Sequence, residues 1–158
     1  RVRSSAASDV YKRQLAFAGC VERDFGDCDT AIVRLRAALD MHATLDRPSD
    51  SVSDMADLAA AYLAKGDLAS ARAVTEEFLA AEPGLTDLAI WPQYMPWTAA
   101  RVFHAVGDDG RTAELLQHAQ AMLETHAAAM PSDETRLAFR QLPLNRTIVR
   151  AVQENLWP

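Results

Sequence analysis

The sequence MADLAAAYLAKGDLASARAVTEEFLAAEP, residues 55–83, predicts two short helices folded back on each other. Apolar residues recur in its first half at spacings of three and four, which places them on one helix face. Gly66 ends the first helix, because glycine adopts the left-handed C-terminal conformation without a steric penalty. Asp67 is an N-cap candidate for the second helix, and Pro83 cannot continue that helix.

Seven positions of this stretch carry a recognisable pattern of large, small and helix-ending residues: Met55, Leu58, Ala59, Tyr62, Gly66, Ala71 and Pro83. The pattern resembles the tetratricopeptide repeat. It departs from that repeat at Phe78, where a small residue is usual. A generic antiparallel helix pair is the alternative and would change the architecture little. Because one such pair cannot bury its own apolar face, we expect further units.

The same helix-ending signal recurs along the chain. Glycine-aspartate pairs begin at Gly26, Gly66 and Gly107, at intervals of 40 and 41 residues. A small residue lies seven positions before each pair, and these residues are Gly19, Ala59 and Ala100. Another small residue follows each pair, and we assign this repeat position to Ala31, Ala71 and Ala113. The usual tetratricopeptide period is about 34 residues, so we expect longer helices or longer connections.

These signals together predict an all-α, tetratricopeptide-like helical-repeat array with about three helix hairpins and a C-terminal capping helix pair. The predicted units cover about residues 15–47, 51–83 and 94–130, with the cap at 132–156, in one domain from 15 to 156. Abundant Ala and Leu with few Gly and Pro suit this class. Pro92 and Pro96 should break any long helix before the third unit, and Pro143 should separate the cap helices.

Residues 1–14, RVRSSAASDVYKRQ, differ from the rest of the chain. They lack an apolar period and the apolar core of a signal peptide. The segment resembles translated sequencing-adapter read-through, and a disordered basic tail is the alternative. We therefore leave it out of the predicted fold and expect the chain to be a fragment of a longer protein, whose own sequence resumes near residue 15.

Charge and cysteine content narrow the function classes. The net charge of −6 argues against a nucleic-acid surface, which would need clustered basic residues. Cys20 and Cys28 do not make a disulfide framework, so a cytoplasmic setting is expected. The sequence has no run of 18 apolar residues and predicts no membrane span.

The third unit and the tail carry a second pattern, W-x-x-x-x-V, then GD, A-x-L-L-x-x-A, D-x-x-R-x-x-F and P-x-x-R-x-I. The matching residues are Trp97, Val102, Gly107, Asp108, Ala113, Leu115, Leu116, Ala119, Asp133, Arg136, Phe139, Pro143, Arg146 and Ile148. This pattern resembles the C-terminal region of large bacterial signalling ATPases and transcription regulators, among them maltose-regulon activators and cyclase-associated ATPases. It departs at Arg140, where an apolar residue is more usual.

The resemblance implies an array that senses and oligomerises, with the ATPase module elsewhere in a longer protein. The sequence agrees, because it contains no phosphate-binding G-x-x-x-x-G-K-[ST] motif. Its only lysines are Lys12 and Lys65, and the second of these lies at a helix end.

No catalytic or metal-binding pattern stands out. The four histidines, His42, His104, His118 and His126, do not have a metal-site spacing. The best ligand or partner site is an aromatic cluster with two donors nearby, made of Trp91, Tyr94, Trp97, Arg101 and His104. Flat aromatic faces and a fork of donors suit a sugar or a peptide. The alternative is a packing role, because Trp97 falls at a large apolar position of the repeat.

The sequence thus predicts a non-catalytic protein-interaction or sensor module without cofactor or metal. The expected partner is another protein or a neighbouring protomer, with a small-molecule inducer as a further candidate, and neither nucleic acid nor membrane is expected to be bound directly. Two alternatives stay open. One is a small-molecule sensing domain with a pocket around Trp91–His104, and the other is a purely structural spacer.

Overall fold

The computed structural model describes residues 2–43, 48–80 and 91–158, and these residues form α-helices and no β-strand. The predicted all-α class is therefore confirmed for the described part of the chain. The chain divides into two compact units, residues 1–89 and 90–158. Each unit is compact by itself, and the single array predicted for residues 15–156 stays a prediction.

Eight helices are present in the described residues. They are α1 (Val2–Asp24), α2 (Cys28–Ala43), α3 (Pro48–Lys65), α4 (Leu68–Leu79), α5 (Tyr94–Ala105), α6 (Asp109–Ala128), α7 (Asp133–Arg140) and α8 (Pro143–Glu154). In the first unit α2 packs on α1 and α3, and α3 also contacts α1 and α4. In the second unit α6 packs on α5, α7 and α8.

Helix α1 begins at Val2, so residues 2–14, which the sequence analysis leaves out of the fold, are helical. Helix formation does not bear on the origin of this segment. Pro83, the predicted end of the second hairpin, lies outside the described residues.

Three corners of the same geometry join α1 to α2, α3 to α4 and α5 to α6. Gly26, Gly66 and Gly107 have φ values of +89°, +81° and +78°. At the second corner the Gly66 N–H donates to the Leu63 carbonyl and the Asp67 N–H donates to the Tyr62 carbonyl, both at 3.0 Å. This pair of bonds is a Schellman motif, which requires a left-handed residue at the glycine position. The predicted helix ends at these glycines are confirmed.

The aspartate after each glycine begins the next helix. Its carboxylate accepts a backbone hydrogen bond at 3.1 Å in all three corners, Asp27 from Thr30, Asp67 from Ser70 and Asp108 from Arg111. The hydrogen bonds from Ser70 lower the pKa of Asp67, because they stabilise its charged form. One glycine and one aspartate thus end one helix and start the next, which makes each pair a hairpin.

The small residues before the corners, Gly19, Ala59 and Ala100, are buried, and Gly19 shows why one of them must be small. A Cβ at Gly19 would lie 2.8 Å from Leu35 Cγ and 3.2 Å from the Ala31 carbonyl oxygen. Helices α1 and α2 therefore approach each other too closely at this point to admit a larger side chain.

The prediction for Ala113 is wrong. Ala31 and Ala71 are buried after their corners, but Ala113 is exposed and Thr112 is buried in its place. The position of the capping aspartate determines which residue is buried, because the fourth residue after it faces the core in every hairpin. Thr112 fills that position in the third hairpin, where its hydroxyl donates to the Asp108 carbonyl at 2.7 Å.

The cap helices cover the second unit's core. Trp97, Ala119, Leu123, Ile148 and Ala151 form a buried cluster. Partly buried side chains pack around it, among them Leu116, Phe139, Leu144, Val149 and Trp157. Pro143 separates α7 from α8 as predicted, and it is itself the first residue of α8. Proline is tolerated there because the backbone N–H groups of a helix's first turn have no partner within the helix. Pro96 likewise lies in the first turn of α5.

Candidate functional site

The predicted aromatic cluster lies at the start of the second unit. Trp91 precedes α5, and the Tyr94 N–H donates to its carbonyl at 2.9 Å. Tyr94, Trp97, Arg101 and His104 lie on α5, at spacings of three and four residues that place them on adjacent parts of the helix surface. Tyr94 and Arg101 are half-buried, whereas Trp97 is buried and His104 is exposed.

Trp97 and His104 both stack on Trp157, a residue that the sequence analysis did not single out. The Trp157 ring lies 5.5 Å from the Trp97 ring with an interplanar angle of 7°, and 4.2 Å from the His104 ring with an angle of 11°. The indole N–H of Trp157 donates to Asn155 Oδ1 at 3.1 Å. Because Trp157 covers Trp97, only 2% of Trp97 remains exposed.

Trp91 belongs to a different aromatic contact. It stacks on Phe139 of α7, with ring centroids 6.5 Å apart and an interplanar angle of 15°, and it remains 45% exposed. The structure therefore divides the predicted cluster between two stacks, one of Trp97, His104 and Trp157 and one of Trp91 and Phe139.

A buried polar contact fixes the beginning of α5 against the cap helices. Gln93 Nε2 donates to Asn145 Oδ1 at 2.8 Å, and Asn145 Nδ2 donates to the Phe139 carbonyl at 2.8 Å. Both amide side chains are almost fully buried. Buried polar groups cost free energy unless they are paired, so these bonds specify one arrangement of α5, α7 and α8. Neither residue was identified from the sequence.

Charged side chains rim the second unit. The Arg111 guanidinium carbon lies 4.0 Å from the centroid of the Phe103 ring, a cation–π arrangement. Arg140, where the sequence departs from the family pattern, pairs with Glu124 of α6 through Nη2 and Oε2 at 2.5 Å. The hydrogen bond with Glu124 raises the pKa of Arg140. The basic residue therefore joins α7 to α6 at a half-buried position.

The histidines and cysteines do not gather into a site within the described residues. His104, His118 and His126 are exposed, and the side chain of His42 lies outside what is described. Across residues 2–43, 48–80 and 91–158 there is no group of three His, Cys, Asp or Glu side chains that could hold a metal ion. Cys20 on α1 and Cys28 at the start of α2 are free thiols, and burial raises the pKa of Cys20 to about 12.

Comparisons with known proteins found no matching protein family, curated protein or solved structure. Within the described part of the chain, no helix combines the length and the apolar character that crossing a bilayer requires.

Proposed function

We propose that the chain is a non-catalytic helical-repeat interaction module, tetratricopeptide-like in its stacking, that binds a helix of a neighbouring protomer. The three hairpins with one shared corner geometry support this proposal. Stacked helix hairpins offer extended surfaces for recognition without needing a catalytic group. The free thiols Cys20 and Cys28 support a cytoplasmic setting.

The apolar surface of α1 is the observation that carries the proposal. Phe17 is 73% exposed, Val21 is 37% exposed, and Phe25, directly after the helix, is 88% exposed. These side chains lie four residues apart and therefore follow one another along one side of the helix. Large exposed apolar surfaces of this kind mark sites of interaction with other proteins.

The repeat spacing identifies the residues of α3 that correspond to the exposed apolar residues of α1. The corners at Gly26 and Gly66 are 40 residues apart, so Phe17 and Val21 occupy the repeat positions of Asp57 and Ala61 in α3. Ala61 is fully buried, and Asp57 Oδ1 accepts a hydrogen bond from Arg23 Nη1 of α1 at 3.2 Å. Helix α3 therefore contacts α1 at a repeat position whose side chain is exposed on α1 itself. We infer that the open face receives a further helix in the same way.

Light scattering over a range of protein concentrations tests this proposal. We expect the chain to self-associate and Phe17→Asp to weaken the association, because burying a phenylalanine contributes about 1.5–3 kcal/mol. Ala73→Asp is the matched control, since it places the same carboxylate at an exposed position of α4. A chain that stays monomeric at every concentration, with both variants indistinguishable from it, would contradict the proposal.

The wider context that we propose is a large bacterial signalling ATPase or transcription regulator of which this chain is a C-terminal part. The residues from Trp97 to Ile148 that resemble this family support it, as does the role of the array in oligomerisation that the resemblance implies. The sequence upstream of this locus is the test. A phosphate-binding loop there supports the proposal, whereas a complete reading frame that starts near residue 15 contradicts it.

A small-molecule sensor is the second candidate, since the predicted pocket region contains aromatic rings. In the structure the Trp97 ring is covered by Trp157. A ligand at this ring would therefore have to replace Trp157, and tryptophan fluorescence in a screen of sugars and metabolites would report that exchange. Unchanged fluorescence from a folded chain across the screen would argue against a sensor.

A further inference from the structure

The rings of Trp97 and His104 both stack on the ring of Trp157, and we call this pair of α5 side chains the clamp. Trp97 and His104 are seven residues apart on α5, which separates them by about 10.5 Å along the helix axis. Trp157 lies 5.5 Å from one ring and 4.2 Å from the other, and its plane is within 11° of both. The Trp157 indole therefore stacks on two rings that α5 presents two turns apart.

Trp97 belongs to the buried core of the second unit. Trp97 packs in the buried cluster with Ala119, Leu123 and Ile148. Helix α5 is also anchored at its beginning by the Gln93–Asn145 hydrogen bond. The Trp97 ring and the beginning of α5 are therefore held by contacts other than the one with Trp157.

The occupant of the clamp comes from the tail beyond α8. Asn155 ends that helix in the left-handed conformation, with φ of 53°. Residues 155–158 have neither helix nor strand, and the Leu156 N–H makes a long hydrogen bond of 3.4 Å to the Arg150 carbonyl. Aromatic stacking thus contributes much of what holds this tail on α5, and the Trp157–Asn155 hydrogen bond orients the indole within the tail.

We propose that Trp97 and His104 form a binding site for the indole ring of a tryptophan in an extended peptide, and that Trp157 occupies this site in cis. Both rings lie nearly parallel to the indole that stacks on them, and an indole also brings the N–H donor that Asn155 satisfies within the tail itself. The site is separate from the α1 surface and stands or falls independently of the interaction proposed there. It assigns a ligand class to the two residues of the predicted cluster that the structure brings together.

Competition with the tail decides how strongly a free peptide binds. A tethered segment acts on its own site at an effective concentration in the millimolar range. The intact chain should therefore bind a peptide carrying the tail sequence weakly. Removal of the Trp157 ring should free the clamp and raise the affinity by at least about tenfold.

The experiment titrates the peptide Asn-Leu-Trp-Pro, with blocked ends, into the full chain and into Trp157→Ala by isothermal calorimetry. We expect tighter binding to the variant and no binding of Asn-Leu-Ala-Pro. Adding His104→Ala to Trp157→Ala should abolish the gain because one jaw is lost. Adding Trp91→Ala should leave the gain unchanged, because that ring stacks on Phe139 outside the clamp.

A second variant protects the test against misfolding. Trp157→Phe keeps a smaller ring in the clamp without the N–H donor to Asn155, and circular dichroism checks that its helices are intact. Its affinity for the peptide should lie between those of the unmodified chain and Trp157→Ala. Equal peptide affinity for the unmodified chain and for every folded Trp157 variant, or equal binding of the peptide that lacks tryptophan, overturns the proposal.

Discussion

Replacing Gly107 by alanine should destabilise the second unit by about 1 kcal/mol, and the cause should be the backbone alone. Gly107 has a φ of +78°, in the left-handed region. An added Cβ would meet no atom within 4 Å, so no side chain has to move. Holding an L-residue in this conformation costs roughly 1–2 kcal/mol. The lower entropy of the unfolded alanine chain offsets about 0.4–1 kcal/mol of that cost.

Urea unfolding followed by tryptophan fluorescence measures this change. All three tryptophans, Trp91, Trp97 and Trp157, lie in the second unit, so the fluorescence reports on that unit. A loss of about 1 kcal/mol corresponds to about a fivefold change in the ratio of folded to unfolded molecules. With a urea dependence of about 2 kcal/mol per molar, the midpoint should fall by about 0.5 M.

Gly110→Ala is the matched control, because it makes the same chemical change three residues away. Gly110 lies in the first turn of α6, and a Cβ there would meet Asp108 Oδ1 at an ordinary 3.8 Å. This variant should be as stable as the unmodified chain or slightly more stable, since alanine is the better helix former. Gly107→Asn should lose less than Gly107→Ala, because asparagine tolerates the left-handed region. Equal midpoints for Gly107→Ala and Gly110→Ala would refute the reasoning.

Three further predictions concern the first unit. Gly19→Ala should destabilise it by about 1–3 kcal/mol in denaturant unfolding followed by circular dichroism, because the new Cβ would press on Leu35. In a Cys28→Ser chain at pH 8, iodoacetamide should alkylate Cys20 more slowly than an ordinary thiol by at least about tenfold, because its pKa is raised from 9.0 to about 12 and little thiolate is present. The raised pKa also means that the contribution of this thiol to stability is present below pH 9 and is lost as the pH rises towards 12. The pKa of Asp67 is lowered, so the contribution of its carboxylate to stability is present above pH 3.8 and is lost as the pH falls through the folded-state pKa. Melting temperatures measured at decreasing pH should show this loss. Asp67→Asn should remove this pH dependence while keeping the N-cap.

The corners could be predicted from the sequence because the forces that make them act within about six residues. A glycine that must be left-handed and an aspartate that caps the next helix identify a corner wherever they occur together. The same local rule explains the error at Ala113. The prediction aligned alanine with alanine, whereas the distance from the capping Asp108 decides which residue faces the core, and Thr112 stands at that distance.

The candidate site could be predicted only in part, because its decisive contacts join residues far apart in the chain. Trp97 and His104 belong to one helix face, and their spacing is visible in the sequence. Trp157 follows them by more than 50 residues, and the packing of α8 in the core of the second unit brings it back to α5. The Gln93–Asn145 hydrogen bond spans 52 positions and has no local signal at all.

The difference between Phe17 and Asp57 bears on what partner α1 would accept. At this repeat position α3 presents a carboxylate, which is matched by Arg23 on α1. Helix α1 presents a phenyl ring instead, and a buried guanidinium facing that ring would lack a carboxylate to pair with. The helix that covers α1 should therefore present apolar side chains at the level of Phe17. An interface built in this way would resemble the stacking of α3 on α1 in its geometry and differ from it in its chemistry, which would disfavour a second copy of α1, the helix that carries Arg23, at the same place.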